Sequence, residues 1–154
     1  MLLKVFIFEL HLNILNLMNS KSFLKVSVHI ILPLIIGTLI YAFFRGIPLI
    51  NMHRWSDLNP PHFIIYNLPD ALWFYALLSS VMFIWEYKTS KNFIRWFVLI
   101  VLLCLLSELF QQLKLIPGTF DYKDLIVYVI AALLSLLQLS KSNNNYYSKQ
   151  KITL

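Results

Sequence analysis

The sequence predicts an all-α fold, namely a polytopic membrane protein built as a bundle of four transmembrane helices. Hydrophobic residues make up 59% of the chain and charged residues only 13%, and the mean hydropathy is +0.71. A soluble domain usually carries about 25% charged residues, so this surface is too apolar to face water. The apolar residues form long runs that lack the strict alternation of a membrane barrel. Lipid-exposed backbone in such runs is stable only as helix.

The apolar runs define four expected transmembrane spans. These spans cover about residues 26–44, 69–86, 93–113 and 122–140. A helix needs about 20 residues to cross a bilayer, whereas the uncharged parts of the second and fourth runs, 71–85 and 125–139, have only 15 residues each. We therefore expect the polar residues before these two runs to enter the helices, which places their carboxylates at the membrane boundary.

One membrane domain accounts for most of the chain, at residues 18–140. The segment 1–17 is either an interfacial amphipathic helix or an extension ahead of a true start at Met18, and we favour the second interpretation. Residues 141–154 form a polar tail of low complexity, for which we expect no stable structure.

The basic residues predict the orientation in the membrane, because loops rich in Lys and Arg stay in the cytoplasm. With four spans, both termini lie on one side. The opposite side carries only Arg45, Arg54, Lys114 and Lys123 of the 13 basic residues, which leaves nine on the side of the termini. We therefore predict cytoplasmic termini in a bacterial cytoplasmic membrane. Most acidic residues fall on the opposite, outer side, where we expect any chemistry.

The composition disfavours several kinds of site. Cys104 is the single cysteine, so the chain has no cysteine pair for a disulfide or a metal cluster, and its three glycines do not form a phosphate-binding loop. The positive charge is scattered along loop ends, which is typical of membrane topology and not of nucleic-acid binding. A metal site from His53, Asp57 and His62 has no recognised spacing. We expect membrane lipids as partners, no metal, no cofactor and no nucleic acid; an oligomer remains open.

Three aspartates stand where outer helices are expected to begin, namely Asp70, Asp121 and Asp124. The stretch 67–70, Asn-Leu-Pro-Asp, has the form of a helix start with Asn67 as the N-cap. A carboxylate at such a start binds free backbone N–H groups and complements the helix dipole. Each aspartate is therefore either a helix cap or part of a ligand site.

Glu108 has no such explanation, because it lies near the end of the third apolar run, where the helix dipole disfavours an acid. An ionisable side chain at the bilayer centre also costs roughly 2.5–3.5 kcal/mol. Gln111 and Gln112 follow three and four residues later, on the same helical face. This polar stripe should face the bundle interior or a wet cavity. Glu108 is thus a candidate general acid or base, and interhelical glue is the alternative.

The candidate ligand-binding residues share a position at the expected outer face. They are Gln111, Gln112, Asp70, Asp121, Asp124, Arg45 and Arg54. The carboxylates suit a polar headgroup or a cation, and the arginines suit a phosphate.

Part of this region, residues 106–137, resembles the VanZ-like membrane proteins. The resemblance consists of Glu108, Gln111 three residues later, the loop dipeptide Pro117-Gly118 and an aspartate, Asp124, that opens the last helix. In the same family pattern, an acid that opens the second helix corresponds to Asp70.

The chain departs from the family pattern at several positions, and the lysine and histidine that usually follow the acid of the second helix are not evident in residues 71–74. Thr119, Tyr128 and Ala131 stand where the family pattern has an arginine, an asparagine and a glycine. The resemblance implies a four-helix protein of the cell envelope, associated with lowered susceptibility to the glycopeptide teicoplanin. It implies no defined biochemical activity.

Two functions follow as hypotheses. In the first, an outward-facing site binds or modifies a lipid-linked or glycopeptide-like ligand through Glu108, Gln111 and Asp124. In the second, the protein is a non-enzymatic binder or assembly partner, and the same residues are interhelical glue and helix caps. The sequence does not decide whether catalysis takes place.

Overall fold

A computed structural model describes residues 20–45 and 60–152, with side chains over 23–45 and 60–140. All regular structure in these ranges is helical. Four stretches are long and apolar enough to cross a membrane: Phe23–Arg45, His62–Ile84, Lys91–Gln112 and Tyr122–Ser140. The predicted all-α class is therefore confirmed for the described part of the chain, and so is the presence of four helices of membrane-spanning length and hydropathy.

The first span combines three helical segments without a break. α1 (Ser20–Val26) continues through a π-helical turn (Ser27–Ile31) into α2 (Leu32–Arg45). Pro33 follows the π turn almost directly. Since proline lacks a backbone N–H and its ring crowds the preceding turn, a locally widened turn is one way for the helix to continue past it.

The second span is α3 (His62–Ile84), which begins earlier than the sequence predicts. Pro61 is its N-cap in an extended conformation, and the N–H of Ile64 donates to the Pro61 carbonyl at 2.9 Å. The prediction of a helix start at Asn67 is wrong, because both Asn67 and Pro69 lie inside the helix and are buried. Residues 64–66 are half-buried in the first turns of α3, whereas Phe63 is exposed, so partial packing accompanies a helix start that the local capping pattern does not show.

The remaining helices are α4 (Lys91–Gln112) and α5 (Tyr122–Ile152). α4 has a side-chain cap, since Ser90 Oγ accepts a hydrogen bond from the N–H of Phe93 at 3.1 Å. α5 continues well beyond its apolar span, so the expectation of an unstructured tail after residue 140 is wrong as far as Ile152. Extending an existing helix costs much less than starting one, which favours this continuation.

α3 is the central helix of the bundle. It packs mainly against α2 and α5 and, to a lesser extent, against α4. Its residues Ala76, Leu78 and Met82 have no exposed surface, whereas residues such as Leu99 and Leu103 of α4 are exposed. An apolar outer surface around a buried central helix is what a bundle surrounded by lipid requires.

The helix directions follow from contacts between side chains. Asn67 contacts Asp124 and Ser79 contacts Gln138, so α3 and α5 run side by side in the same direction. Arg45 lies against Tyr66, near the start of α3, so α2 and α3 run in opposite directions. The end of α2, the start of α3, the end of α4 and the start of α5 therefore meet at one end of the bundle.

Candidate functional site

A cavity of about 490 Å³ opens at this end of the bundle, between the four helix ends and the loop that joins α4 to α5. We call it the acidic cavity. Its wall is polar and is formed by Arg45, His62, Tyr66, Asn67, Asp70, Ser107, Glu108, Gln111, Gly118, Thr119, Asp121, Asp124 and Tyr128. The cavity thus brings together residues that are far apart in the sequence.

Asn67 joins α3 to the start of α5. Its Nδ2 donates to Asp124 Oδ1 at 2.6 Å and to Asp121 Oδ2 at 3.3 Å. The side chain is 1% exposed, and its Oδ1 has no hydrogen-bond partner among the described residues. Asn67 therefore uses its donors on two carboxylates and leaves a buried acceptor on the cavity wall.

Glu108 also lines the cavity, from α4, and is only 4% exposed. Its Oε2 accepts no hydrogen bond within the described part of the chain. The carboxyl interacts with the Tyr128 side chain and is close enough to Asp124 and Asp70 to experience their charges. The expectation that this acid faces a polar interior and not lipid is consistent with these contacts.

The two glutamines that follow Glu108 differ in position. Gln111 lines the cavity, whereas Gln112 is exposed and is not part of the wall. Gln111 is also in close contact with Gly118, since a Cβ added to this glycine would lie 2.6 Å from Gln111 Cδ. Gly118 has φ +144°, a conformation that L side chains rarely adopt. The loop thus approaches the cavity at a position that only glycine fits without strain.

Asp121 caps α5, and a helix cap is one of the two roles that the sequence predicts for it. Its Oδ1 accepts a hydrogen bond from the N–H of Lys123 at 3.0 Å, and its carbonyl accepts from the N–H of Asp124 at the same distance. The bond from the Lys123 backbone lowers the pKa of this carboxyl, which favours its charged form. Asp121 is therefore a helix cap that also lines the cavity.

The other two aspartates are placed differently. Asp70 lies inside α3 and not at its start, so it cannot serve as an N-terminal cap. Asp124 lies in the first turn of α5, and its carboxylate binds the side chain of Asn67 on another helix. Both line the acidic cavity together with Glu108.

Arg45 provides a permanent positive charge at the edge of the cavity. Its guanidinium lies over the rings of Tyr41 and Tyr66, at 4.8 Å and 5.1 Å from their centroids. Such cation–π contacts fix the position of the side chain without neutralising it. Arg54, the other predicted arginine, lies outside the described residues.

Seven wall residues were absent from the predicted site, and Asn67 and Tyr128 are the most informative of them. Asn67 lies one helical turn before Asp70, and Tyr128 lies one turn after Asp124, so helical spacing was a usable signal for both. Asn67 was assigned to capping instead, and Tyr128 was noted only as a family position. His62 lies at the wall and stacks on Tyr66 at 4.1 Å between ring centroids.

The described residues do not assemble a metal centre. Within them, no three His, Cys, Asp or Glu side chains are grouped so that they could hold a metal ion. His53 and Asp57, which the sequence suggested as partners of His62, lie outside the described ranges. The chemistry of the wall is therefore that of carboxylates, amides, hydroxyls, phenols, one imidazole and one guanidinium.

Comparison with families of known proteins, with curated proteins and with solved structures finds no match to this chain. Its function has to be inferred from the acidic cavity itself.

Proposed function

We propose that the chain is a VanZ-like protein of the cell envelope, whose acidic cavity binds the polar part of a lipid-linked or glycopeptide-like ligand. The protein lies in the bacterial cytoplasmic membrane with both termini in the cytoplasm. The cavity then opens at the outer leaflet, where such ligands are found. Whether binding is followed by a chemical step depends on Glu108.

One observation carries this proposal, namely the convergence of polar residues from separate helices on a single cavity. Asp70, Glu108 and Asp124 come from α3, α4 and α5, and none of them forms an ion pair within the described residues. Burying acidic groups close together near a membrane is costly unless they are compensated. The charge of Arg45 near Asp70 and Asp124 offsets part of this cost, and a bound ligand that neutralises the carboxyl groups offsets the rest.

The position of the cavity suits a ligand anchored in the membrane. It lies at the ends of four membrane-length helices, hence near the depth of the lipid headgroups. Basic residues favour the outer side for this end, because only four of the 13 fall there. A headgroup or a glycan can enter such a cavity while its lipid chains stay in the bilayer.

Three of the wall residues have a specific chemical role in the proposal. Arg45 pairs with a phosphate or another anion, because its guanidinium is held at the cavity edge. Gln111 orients the ligand through its amide. Glu108 is the residue placed to give or take a proton, since it is buried at the wall with one unpartnered oxygen.

A structural role for these residues is the second candidate function, and the contacts of Asn67 favour it. The hydrogen bonds from Asn67 to Asp124 and Asp121 join α3 to α5, as interhelical glue would. In that case the protein is a non-enzymatic binder or an assembly partner. Glu108 distinguishes the two candidates, because its Oε2 has no structural partner among the described residues.

The test is complementation of a deletion strain with Glu108→Gln, which removes the charge and preserves the shape. The readout is growth in the presence of teicoplanin and other envelope-directed antibiotics, at matched abundance of the protein in the membrane. We expect Glu108→Gln to behave like the deletion strain.

The matched control is Glu86→Gln. Glu86 is exposed at the other end of the bundle and pairs only with Lys88 within the described residues, so this variant should complement fully. Full complementation by Glu108→Gln would remove the carboxyl from the proposed function. A loss that follows reduced abundance would instead assign Glu108 to folding.

A further inference from the structure

The unpartnered polar atoms of the acidic cavity are acceptors, and this limits the class of ligand that the cavity can bind. Two of the residues that line it carry a buried oxygen that has no partner among the described residues, namely Asn67 Oδ1 and Glu108 Oε2. Both belong to side chains that are more than nine-tenths buried. An amide oxygen only accepts hydrogen bonds, and so does an ionised carboxylate. The vacant hydrogen-bonding positions therefore call for donors.

The orientation of the Asn67 amide supports this conclusion. Its Nδ2 faces the carboxylates of Asp124 and Asp121, at 2.6 Å and 3.3 Å. A flipped amide would place Oδ1 against both of these acceptors, which is unfavourable. The two aspartates thus fix the Asn67 oxygen as the unpartnered atom.

The charges of the wall point in the same direction. Asp70, Glu108, Asp121 and Asp124 place four carboxyl groups around the cavity, and Arg45 is the permanently charged cation among the described wall residues. The carboxylates of Asp70 and Asp124 each interact with the charge of Glu108. A ligand that brings positive charge relieves this repulsion.

An organic cation fits this cavity better than a bare metal ion. The described residues contain no grouping of His, Cys, Asp or Glu that could hold a metal. The cavity measures about 490 Å³, whereas a water molecule occupies about 30 Å³ in the liquid. Tyr128 contributes an aromatic ring to the wall, and such rings attract organic cations, whereas the ring of Tyr66 is already in contact with Arg45 and His62.

We propose that the acidic cavity recognises a primary ammonium group, whose N–H donors bind Glu108 Oε2 and Asn67 Oδ1. This inference rests on the proposed function and names the ligand chemistry of that same site. The ammonium group belongs either to a phospholipid headgroup, whose phosphate then meets Arg45, or to a soluble amine.

The experiment compares headgroups that carry the same charge but different numbers of N–H donors. The full-length protein is purified in detergent, and binding of short-chain phosphatidylethanolamine, its N-methylated and N,N-dimethylated forms, and phosphatidylcholine is measured by native mass spectrometry. Phosphatidylglycerol serves as the lipid without an amine. Because the wall needs donors and not charge alone, affinity should fall with each methyl group, by about tenfold over the series.

Two cavity variants and one control test whether the preference for the primary ammonium arises in the acidic cavity. Glu108→Gln and Asp70→Asn each remove one charge from a different helix, and each should reduce the preference for the primary ammonium to about threefold or less. Glu86→Gln should keep the full preference, because Glu86 lies outside the cavity. A thermal unfolding measurement on every variant verifies that each purified protein is folded.

A competition arm identifies the source of the ammonium group. If free ethanolamine displaces the lipid, ammonium recognition is supported and a soluble amine is sufficient. If ethanolamine fails while phosphatidylethanolamine shows the preference, ammonium recognition is supported and the lipid headgroup is the ligand. Equal binding of phosphatidylethanolamine and phosphatidylcholine overturns the inference, and so does a preference that survives in both cavity variants.

The two proposals can fail separately. Loss of complementation by Glu108→Gln together with no preference among the headgroups would retain the proposed function and reject the ammonium ligand. A clear preference for the primary ammonium headgroup together with full complementation by Glu108→Gln would retain the ammonium ligand and reject the proposed function.

Discussion

At the residue scale, the most informative side chain is the one that the sequence already singled out. Glu108 was an anomaly in an apolar run, and the structure places it in the bundle beside other carboxyl groups. Its environment could be predicted because a membrane leaves few places for an acid. Its neighbour Asn67 could not, because the local sequence around it imitates a helix start and its partners lie on another helix, at residues 121 and 124.

Removing the Asn67 amide should destabilise the protein. In Asn67→Ala, the half-buried carboxylates of Asp124 and Asp121 lose their shared donor, and the loss of a hydrogen bond to a charged group costs roughly 1.5–3 kcal/mol. We expect a lower midpoint of thermal unfolding in detergent.

Asn92→Ala is the control for that variant, since Asn92 is half-buried near the start of α4, at the other end of the bundle. An equal midpoint for Asn67→Ala and the wild-type protein would show that the contact between α3 and α5 contributes nothing to stability.

Gly118 gives a second prediction at this scale. A Cβ at this position would meet Gln111 at 2.6 Å, and the backbone has φ +144°. Gly118→Ala should therefore cost roughly 1–3 kcal/mol of stability and displace Gln111 from the cavity. Thr119→Ala, the next residue in the same exposed loop, is the control for thermal unfolding. If Gly118→Ala unfolds at the wild-type temperature, the loop does not approach α4 as described.

At the element scale, the number and type of helices followed from hydropathy, but their ends did not. The apolar runs predicted four helices because only a helix satisfies the backbone in lipid. The early start of α3 is accompanied by partial burial of residues 64–66, and the continuation of α5 to Ile152 depends on propagation from a formed helix. Neither effect is visible in a local pattern of capping residues.

The contact between α2 and α3 gives a prediction about helix packing. Gly37 is buried against α3, where an added Cβ would lie 2.8 Å from Trp73 Nε1 and 3.3 Å from the Pro69 carbonyl oxygen. Gly37→Leu must push the helices apart, and overpacking of this kind costs typically about 1–3 kcal/mol. We expect a clearly lower thermal midpoint in detergent.

Val98→Leu is the matched control, because Val98 is exposed on α4 and tolerates an added methylene group. Equal midpoints for the two variants would contradict the close approach of α2 and α3.

At the scale of the whole molecule, the open question is which side of the membrane the acidic cavity faces. Thr119 is exposed at the cavity end and Thr89 is exposed at the opposite end. The contacts between helices place these two positions at different ends of the bundle, whereas the side of the membrane was inferred from basic residues alone.

Single cysteines test this orientation in intact cells. In a Cys104→Ala background, Thr119→Cys should react with a membrane-impermeant maleimide, and Thr89→Cys should react only after the cells are permeabilised. The opposite pattern would place the acidic cavity in the cytoplasm and remove the outer-leaflet ligands from consideration.

The most direct test of the central claim is to capture the ligand of the acidic cavity in its native membrane. A photoreactive amino acid replaces Thr119 on the cavity wall, and adducts formed on illumination are identified by mass spectrometry. The account predicts an adduct of one amine-bearing lipid or glycan class, which is reduced when Glu108→Gln is added and absent when the probe is at Thr89. Adducts that are the same at both positions, or unaffected by Glu108→Gln, would contradict a ligand site in the acidic cavity.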